Sequence, residues 1–189
     1  MKTKDLSMVA LFAALTAIGA FIRIPLPYVP FTLQFMFCAF SGILLGSKLG
    51  MLSQLLYVVI GLIGIPVFTQ GGGPSYILQP TFGYLIGFIV ASFVIGKLTE
   101  NKKDLNVKNI LLAVLVGLFF IYLIGVPYLY MINKFYLGNS YTVYLSVLYG
   151  FIMCIGGDLV LSLIISIIGV KVIPIIKRAG YVSNKYKSI

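Results

Sequence analysis

The sequence has no histidine, and only 10% of its 189 residues are charged. Without imidazole there is no His-ligated zinc and no histidine general base. Acids are the scarcest charge, 4 against 14 basic residues. Asp5, Glu100 and Asp104 fall in polar segments and only Asp158 falls in an apolar run, so no carboxylate pair is available for acid–base catalysis. The chain is not expected to be an enzyme. No GxxxxGK followed by Ser or Thr occurs, which excludes ATP hydrolysis by this chain alone. Neither a metal nor a cofactor is expected. Cys38 and Cys154 stand in separate apolar stretches without metal-type spacing and read as small core hydrophobes. No small-residue cleavage site follows the apolar stretch 6–22, which is expected to stay as a membrane helix. No low-complexity tail and no evident internal repeat is present.

Hydrophobic residues, by contrast, make up 60% of the chain, with a mean hydropathy of +1.09. That exceeds what a water-facing shell can enclose, so the chain is expected to be an integral membrane protein. Apolar runs at 6–22, 35–47, 49–66, 80–98, 108–132 and 145–176 predict an all-α protein of six transmembrane helices, with 1–189 forming a single membrane domain. The run 35–47 is short and would span only if extended or packed within protein. The run 145–176 is long enough to be tilted, or broken at Gly156-Gly157. The excess of positive charge orients the chain in the lipid bilayer rather than binding nucleic acid. With the N-terminus cytoplasmic, twelve cations fall inside: Lys2 and Lys4; Lys48; Lys97, Lys102, Lys103 and Lys108; Lys171, Lys177, Arg178, Lys185 and Lys187. Only Arg23 and Lys134 fall outside. Both termini are therefore expected in the cytoplasm, and the chain in the cell membrane as a multi-pass protein.

The outward loops are unusual. RIPLPYVPFTLQ (23–34) carries three prolines and ends in Thr32 and Gln34, and IPVFTQGGGPSYILQPTFGY (65–84) offers Gln70, Gly71–Gly73, Tyr76, Gln79, Thr81 and Tyr84. Apart from Arg23 neither is charged. Glycine runs permit close backbone approach to a ligand, and uncharged hydrogen-bonding groups among aromatics suit a lid over a small molecule. Asp158 is a stronger signal. An aspartate in mid-membrane costs about 2.5–3.5 kcal/mol to insert and usually marks a substrate or ion path. On the first helix, MVALFAALTAIGAF, Ala10 and Ala14, and again Ala13 and Ala17, have the small-xxx-small spacing that lets another helix approach closely.

VPFTLQ (29–34), GLIGIPVF (61–68), the GGG loop with PTFGYLIGF (80–88), and GGDLV (156–160) together resemble the biotin-specific S components, the BioY family of energy-coupling factor vitamin transporters. The resemblance covers almost the whole chain. It implies a six-helix fold with both termini inside and a substrate site near the outer face, for which Asp158, Gln34, Gly72, Gln79, Thr81, Tyr84 and Arg23 are the candidates. It also implies that Ala10 and Ala14 dock a transmembrane coupling subunit, and that two separate cytosolic ATPases hydrolyse the ATP. One position departs from the family pattern. The family usually has a lysine three residues after the aspartate, and here that position is Leu161.

The expected function is capture of extracellular biotin, or a relative such as lipoate, for ATP-driven uptake. Biotin's ureido group carries two N–H donors that suit a carboxylate, and lipoate has none. With no cation beside Asp158, the acidic tail of either ligand is expected to look to Arg23 or Lys134. A proton-coupled secondary transporter using Asp158 as proton carrier is the alternative, and the lack of a second intramembrane acid counts against it.

Overall fold

A computed structural model describes residues 2–102 and 105–178. Lys103, Asp104, Lys185 and Lys187 of the charge count lie outside the described residues. The elements run α1 (Thr3–Phe21), a two-residue strand pair β1 (Arg23–Ile24) and β2 (Phe31–Thr32), α2 (Gln34–Leu45), α3 (Ser47–Leu62), a 3-10 turn (Pro74–Leu78), α4 (Phe82–Thr99), α5 (Val107–Met131), α6 (Val143–Val147) and α7 (Met153–Arg178). Among the described residues, four helical stretches are long and apolar enough to cross a membrane: Thr3–Phe21, Phe82–Thr99, Val107–Tyr136 and Val143–Ile176. α2 and α3 are apolar but shorter. At 1.5 Å per residue the 12 residues of α2 reach about 18 Å, less than a ~30 Å hydrocarbon core. Most of α2 is buried among its neighbours instead.

Local sequence accounts for where the helices begin. The Lys2 N–H donates to the Asp5 carboxylate at 2.9 Å, which closes the first turn of α1 and places an anion at its positive end. The Asn106 side chain accepts from the Asn109 N–H at 2.9 Å ahead of α5. α2 and α3 reverse at Gly46, whose φ of +80° suits a residue without Cβ. There Glu100, from the end of α4, receives both the Ser47 N–H at 3.0 Å and the Ser47 hydroxyl at 2.7 Å on Oε2, while Lys97 Nζ lies 3.5 Å from Oε1. The sequence placed Glu100 in a polar connector, but the fold buries it to 4% exposure as the cap of α3.

The middle of the bundle is joined by small polar residues. Gln54 Nε2 donates to Thr16 Oγ1 and Ser41 Oγ, both at 3.2 Å, and Ser41 in turn pairs with Ser92 at 2.8 Å. This links α1, α2, α3 and α4 through buried hydroxyls and one amide. Backbones also come close: a Cβ on Gly87 would sit 2.8 Å from the Ile121 Cα, which holds α4 against α5.

Of the two alternatives for the run 145–176, a tilt or a break at Gly156-Gly157, the break is not present. α7 runs through both glycines, and the irregular turn lies earlier, a π-helical segment at Leu148–Ile152. Gly157 provides space instead, since a Cβ there would stand 2.5 Å from the Phe31 ring. The wide π turn exposes the Gly150 carbonyl, which accepts the Tyr84 hydroxyl at 2.8 Å.

The Glu100 cap gives a test of this end of the bundle. Glu100→Ala leaves two buried Ser47 donors without their acceptor and is expected to destabilise the purified protein by about 1–3 kcal/mol, read from denaturant or thermal unfolding in detergent. Lys97→Ala, which removes a largely exposed partner, is expected to shift the same transition much less.

Candidate functional site

Between the strand pair, the 65–81 segment and α2, α4, α5 and α7 lies a cavity with roughly 600 Å³ of atom-free space, part of it open to the exterior. Val29, Pro30 and Phe31 cover one side, and Phe35, Leu85, Phe88, Leu118 and Ile121 make the walls apolar. The polar lining comes from Thr32, Gln34, Thr69, Tyr76, Thr81, Tyr84, Tyr122 and Asp158, with Cys154 beside them. Among the described residues, no lysine or arginine lines the cavity.

Asp158 is buried at 8% exposure, and its Oδ2 accepts a hydrogen bond from the Tyr122 hydroxyl on α5. Tyr122 is held edge-on by Phe151 at a centroid distance of 4.9 Å and by Tyr84 at 6.4 Å. The Ser162 hydroxyl donates to the Asp158 carbonyl at 2.7 Å, within α7. Leu161, one turn further on, is buried and brings no charge. The partner of this carboxylate is thus a neutral phenol from another helix. Tyr122 is a site residue that sequence reading missed, as is Thr69. For Tyr122 the signal available was a hydroxyl in the apolar run 108–132, but nothing in the sequence pairs it with Asp158.

The other polar groups are mostly engaged with one another. Gln34 donates to Tyr57 at 2.8 Å and accepts from Thr32 at 3.1 Å, and Tyr57 donates onward to the Val67 carbonyl at 3.1 Å. Gln34 therefore fixes the start of α2 against the 65–81 segment. Tyr84 spends its hydroxyl on Gly150 and presents its ring. Thr69, Tyr76 and Thr81 form a row of hydroxyls, with oxygens 3.0 and 3.3 Å apart. Tyr76 is placed by Phe68, 4.4 Å away between ring centroids.

Of the candidates named from the sequence, Asp158, Gln34, Thr81 and Tyr84 line the cavity together. Gly72, Gln79 and Arg23 do not. Gly72 packs behind the wall, where a Cβ would stand 2.9 Å from the Ile65 carbonyl carbon. Gln79 is exposed in the turn before α4. Arg23 is exposed as well, and its guanidinium donates to the Thr69 carbonyl, tying β1 to the second loop. Lys134 also points outward, bonded to the Tyr130 hydroxyl at 2.6 Å. Ala10 and Ala14 are exposed on α1, whose opposite side buries Val9, Ala13 and Thr16.

At the rim, Tyr28 has a φ of +63°, a conformation few bulky residues adopt. Its ring lies 4.9 Å from Tyr141 and 5.1 Å from Tyr149. Burial, with Tyr28 and Tyr149 adding to it, pushes the Tyr141 hydroxyl up to about 12, so it remains a neutral donor to the Leu145 carbonyl.

Known proteins resemble this chain in sequence and in fold. The model of the BioY family matches residues 1–178. A probable biotin transporter BioY of Lysinibacillus sphaericus is 46% identical over 177 residues, covering 94% of this chain and 90% of the relative. Another, from Pyrococcus horikoshii, is 47% identical over 124 residues, 65% of this chain and 72% of the relative. Among solved structures, the S-component for biotin from an ECF-type ABC transporter superposes with a TM-score of 0.78 at 28% identity, covering 91% of this chain and 94% of that one. A multi-pass membrane protein with this fold and these relatives, the chain belongs to the BioY family.

Proposed function

We propose that this chain is the substrate-binding membrane subunit of an energy-coupling factor transporter and that its substrate is biotin. The observation that carries the reading is Asp158: a buried carboxylate on the wall of a mainly apolar cavity, with one oxygen held by Tyr122. An anionic acceptor in such a place selects a ligand with N–H donors, because desolvating it without a partner is costly. The ureido group of biotin supplies two such donors, and its fused rings suit the apolar walls. Lipoate lacks the donors and would leave the acid unmatched. Relatives described as biotin transporters support the same substrate. A proton-coupled carrier is disfavoured, since among the described residues Asp158 is the single acid lining the cavity.

The arrangement in the membrane follows from the same reading. Six helices cross the bilayer, α2 and α3 among them as short spans buried in protein, and α6 with α7 as the last. Both termini face the cytoplasm, consistent with twelve cations on that side against two. The cavity then opens outward, at the end where Arg23 meets Thr69 and Tyr128 donates to the Ile77 carbonyl. The exposed Ala10 and Ala14 form the face that docks the transmembrane coupling subunit, and two cytosolic ATPases hydrolyse the ATP that this chain cannot.

Two measurements test the proposal. Equilibrium binding of biotin and lipoate to purified protein is expected to favour biotin. Asp158→Ala should weaken biotin by at least about 30-fold and Asp158→Asn by less, since a buried polar pair broken on one side costs about 2–5 kcal/mol. Unchanged biotin affinity in Asp158→Ala would show the site to be wrongly placed. For docking, Ala10→Leu with Ala14→Leu is expected to abolish co-purification with the coupling subunit while biotin binding stays within twofold. Loss of both together would indicate a folding defect and count against the docking face.

A further inference from the structure

Among the described residues the cavity has an acid but no cation, and the proposed ligand brings an acid of its own. We infer that the ligand's carboxylate is held by the hydroxyl row Thr69–Tyr76–Thr81, as an anion subsite built without an ion pair. This assignment rests on the biotin reading above and goes beyond it by naming where the tail ends.

Counting hydrogens supports it. Three hydroxyls carry three hydrogens, and the two links at 3.0 and 3.3 Å use two of them. Whichever way the links run, one O–H in the row has no acceptor within it. All three residues line the cavity, so the unspent donor belongs to the wall that the ligand meets. Thr32 does not share this property, because its hydroxyl donates to Gln34 Oε1. Charge points the same way. The Arg23 guanidinium lies against the Thr69 carbonyl from outside the cavity, so a full positive charge stands behind one end of the row. It braces Thr69 and favours negative charge nearby without reaching into the cavity itself.

Position completes the argument. Thr69 and Tyr76 belong to the segment before α4, and Thr81 immediately precedes that helix. Tyr122, the partner of Asp158, lies nine residues before the end of α5 at Met131, about 13 Å along its axis. Tyr128, between them, bonds to Ile77 in the same loop as Tyr76, so the end of α5 and the hydroxyl row share one level. The cavity thus has an inner acceptor for N–H groups and an outer donor for an anionic oxygen. An elongated ligand with a donor head and an acid tail is oriented by that pair.

The test compares biotin with an analogue whose tail ends in methyl in place of the carboxylate, by calorimetry on purified protein in detergent. In the near-isosteric variant Thr69→Val with Thr81→Val, biotin is expected to weaken about tenfold or more, and the methyl analogue to stay within twofold. Tyr76→Phe keeps the ring that packs on Phe68 and should give the same split, which guards against a double variant that fails to fold. Equal weakening of both ligands in Tyr76→Phe, or no weakening of biotin, overturns the assignment. If Arg23→Gln alone erases the preference for the acid while the valine pair retains it, the tail pairs with Arg23 and the assignment also falls. A wild-type protein that binds neither compound overturns the biotin reading itself, and this subsite with it.

Discussion

A carboxylate removed from water must be met by a donor, and Asp158 finds one in a phenol on a neighbouring helix. Much of the architecture around the cavity depends on that bond. It joins α5 to α7, and Phe151 and Tyr84 pack edge-on against the Tyr122 ring. Tyr84 is itself fixed by the Gly150 carbonyl, which is free to accept because the helix loosens into a π turn there. One buried acid thus accounts for a phenol, a second phenol and an irregular helical turn. Each is a polar group that a bilayer would otherwise leave unsatisfied.

The same constraint operates elsewhere with less charge at stake. The Gln54–Thr16–Ser41–Ser92 cluster joins α1 to the three following helices, and Glu100 closes the turn between α2 and α3. Neither contributes a residue to the cavity lining. Interhelical hydrogen bonds of this kind contribute modestly, on the order of 0.6 kcal/mol each, so their main effect is to fix registry between helices. α1 is held by its inner side, and the side bearing Ala10 and Ala14 is left exposed.

Most of the helices were legible because apolar runs have only one use at this hydropathy. α1, α4 and α5 begin and end within a few residues of the runs read from the sequence. Asp158 was legible because an acid among isoleucines and leucines has few innocent explanations. What escaped depended on tertiary neighbours. Glu100 looked like part of a charged loop, and its burial arises from Ser47, far away in sequence. Gly156-Gly157 offered a place for the last helix to break, whereas Gly157 makes room for Phe31. Gly72 and Gln79 sit in the right loop, but the cavity is lined from that loop by Thr69 and Tyr76. A glycine can serve ligand approach or backbone packing, and only three-dimensional contacts separate the two.

Tyr28 has a mechanical consequence for the cover of the cavity. A left-handed backbone conformation costs a non-glycine residue roughly 1–2 kcal/mol, and an aromatic pair returns about 0.5–1.5 kcal/mol. The rings of Tyr141 and Tyr149 therefore about match the strain they hold in place. The segment that follows Tyr28, Val29 to Phe31, covers the site. The conformation of that cover is thereby coupled, through one backbone angle at Tyr28, to two rings that come far later in the chain.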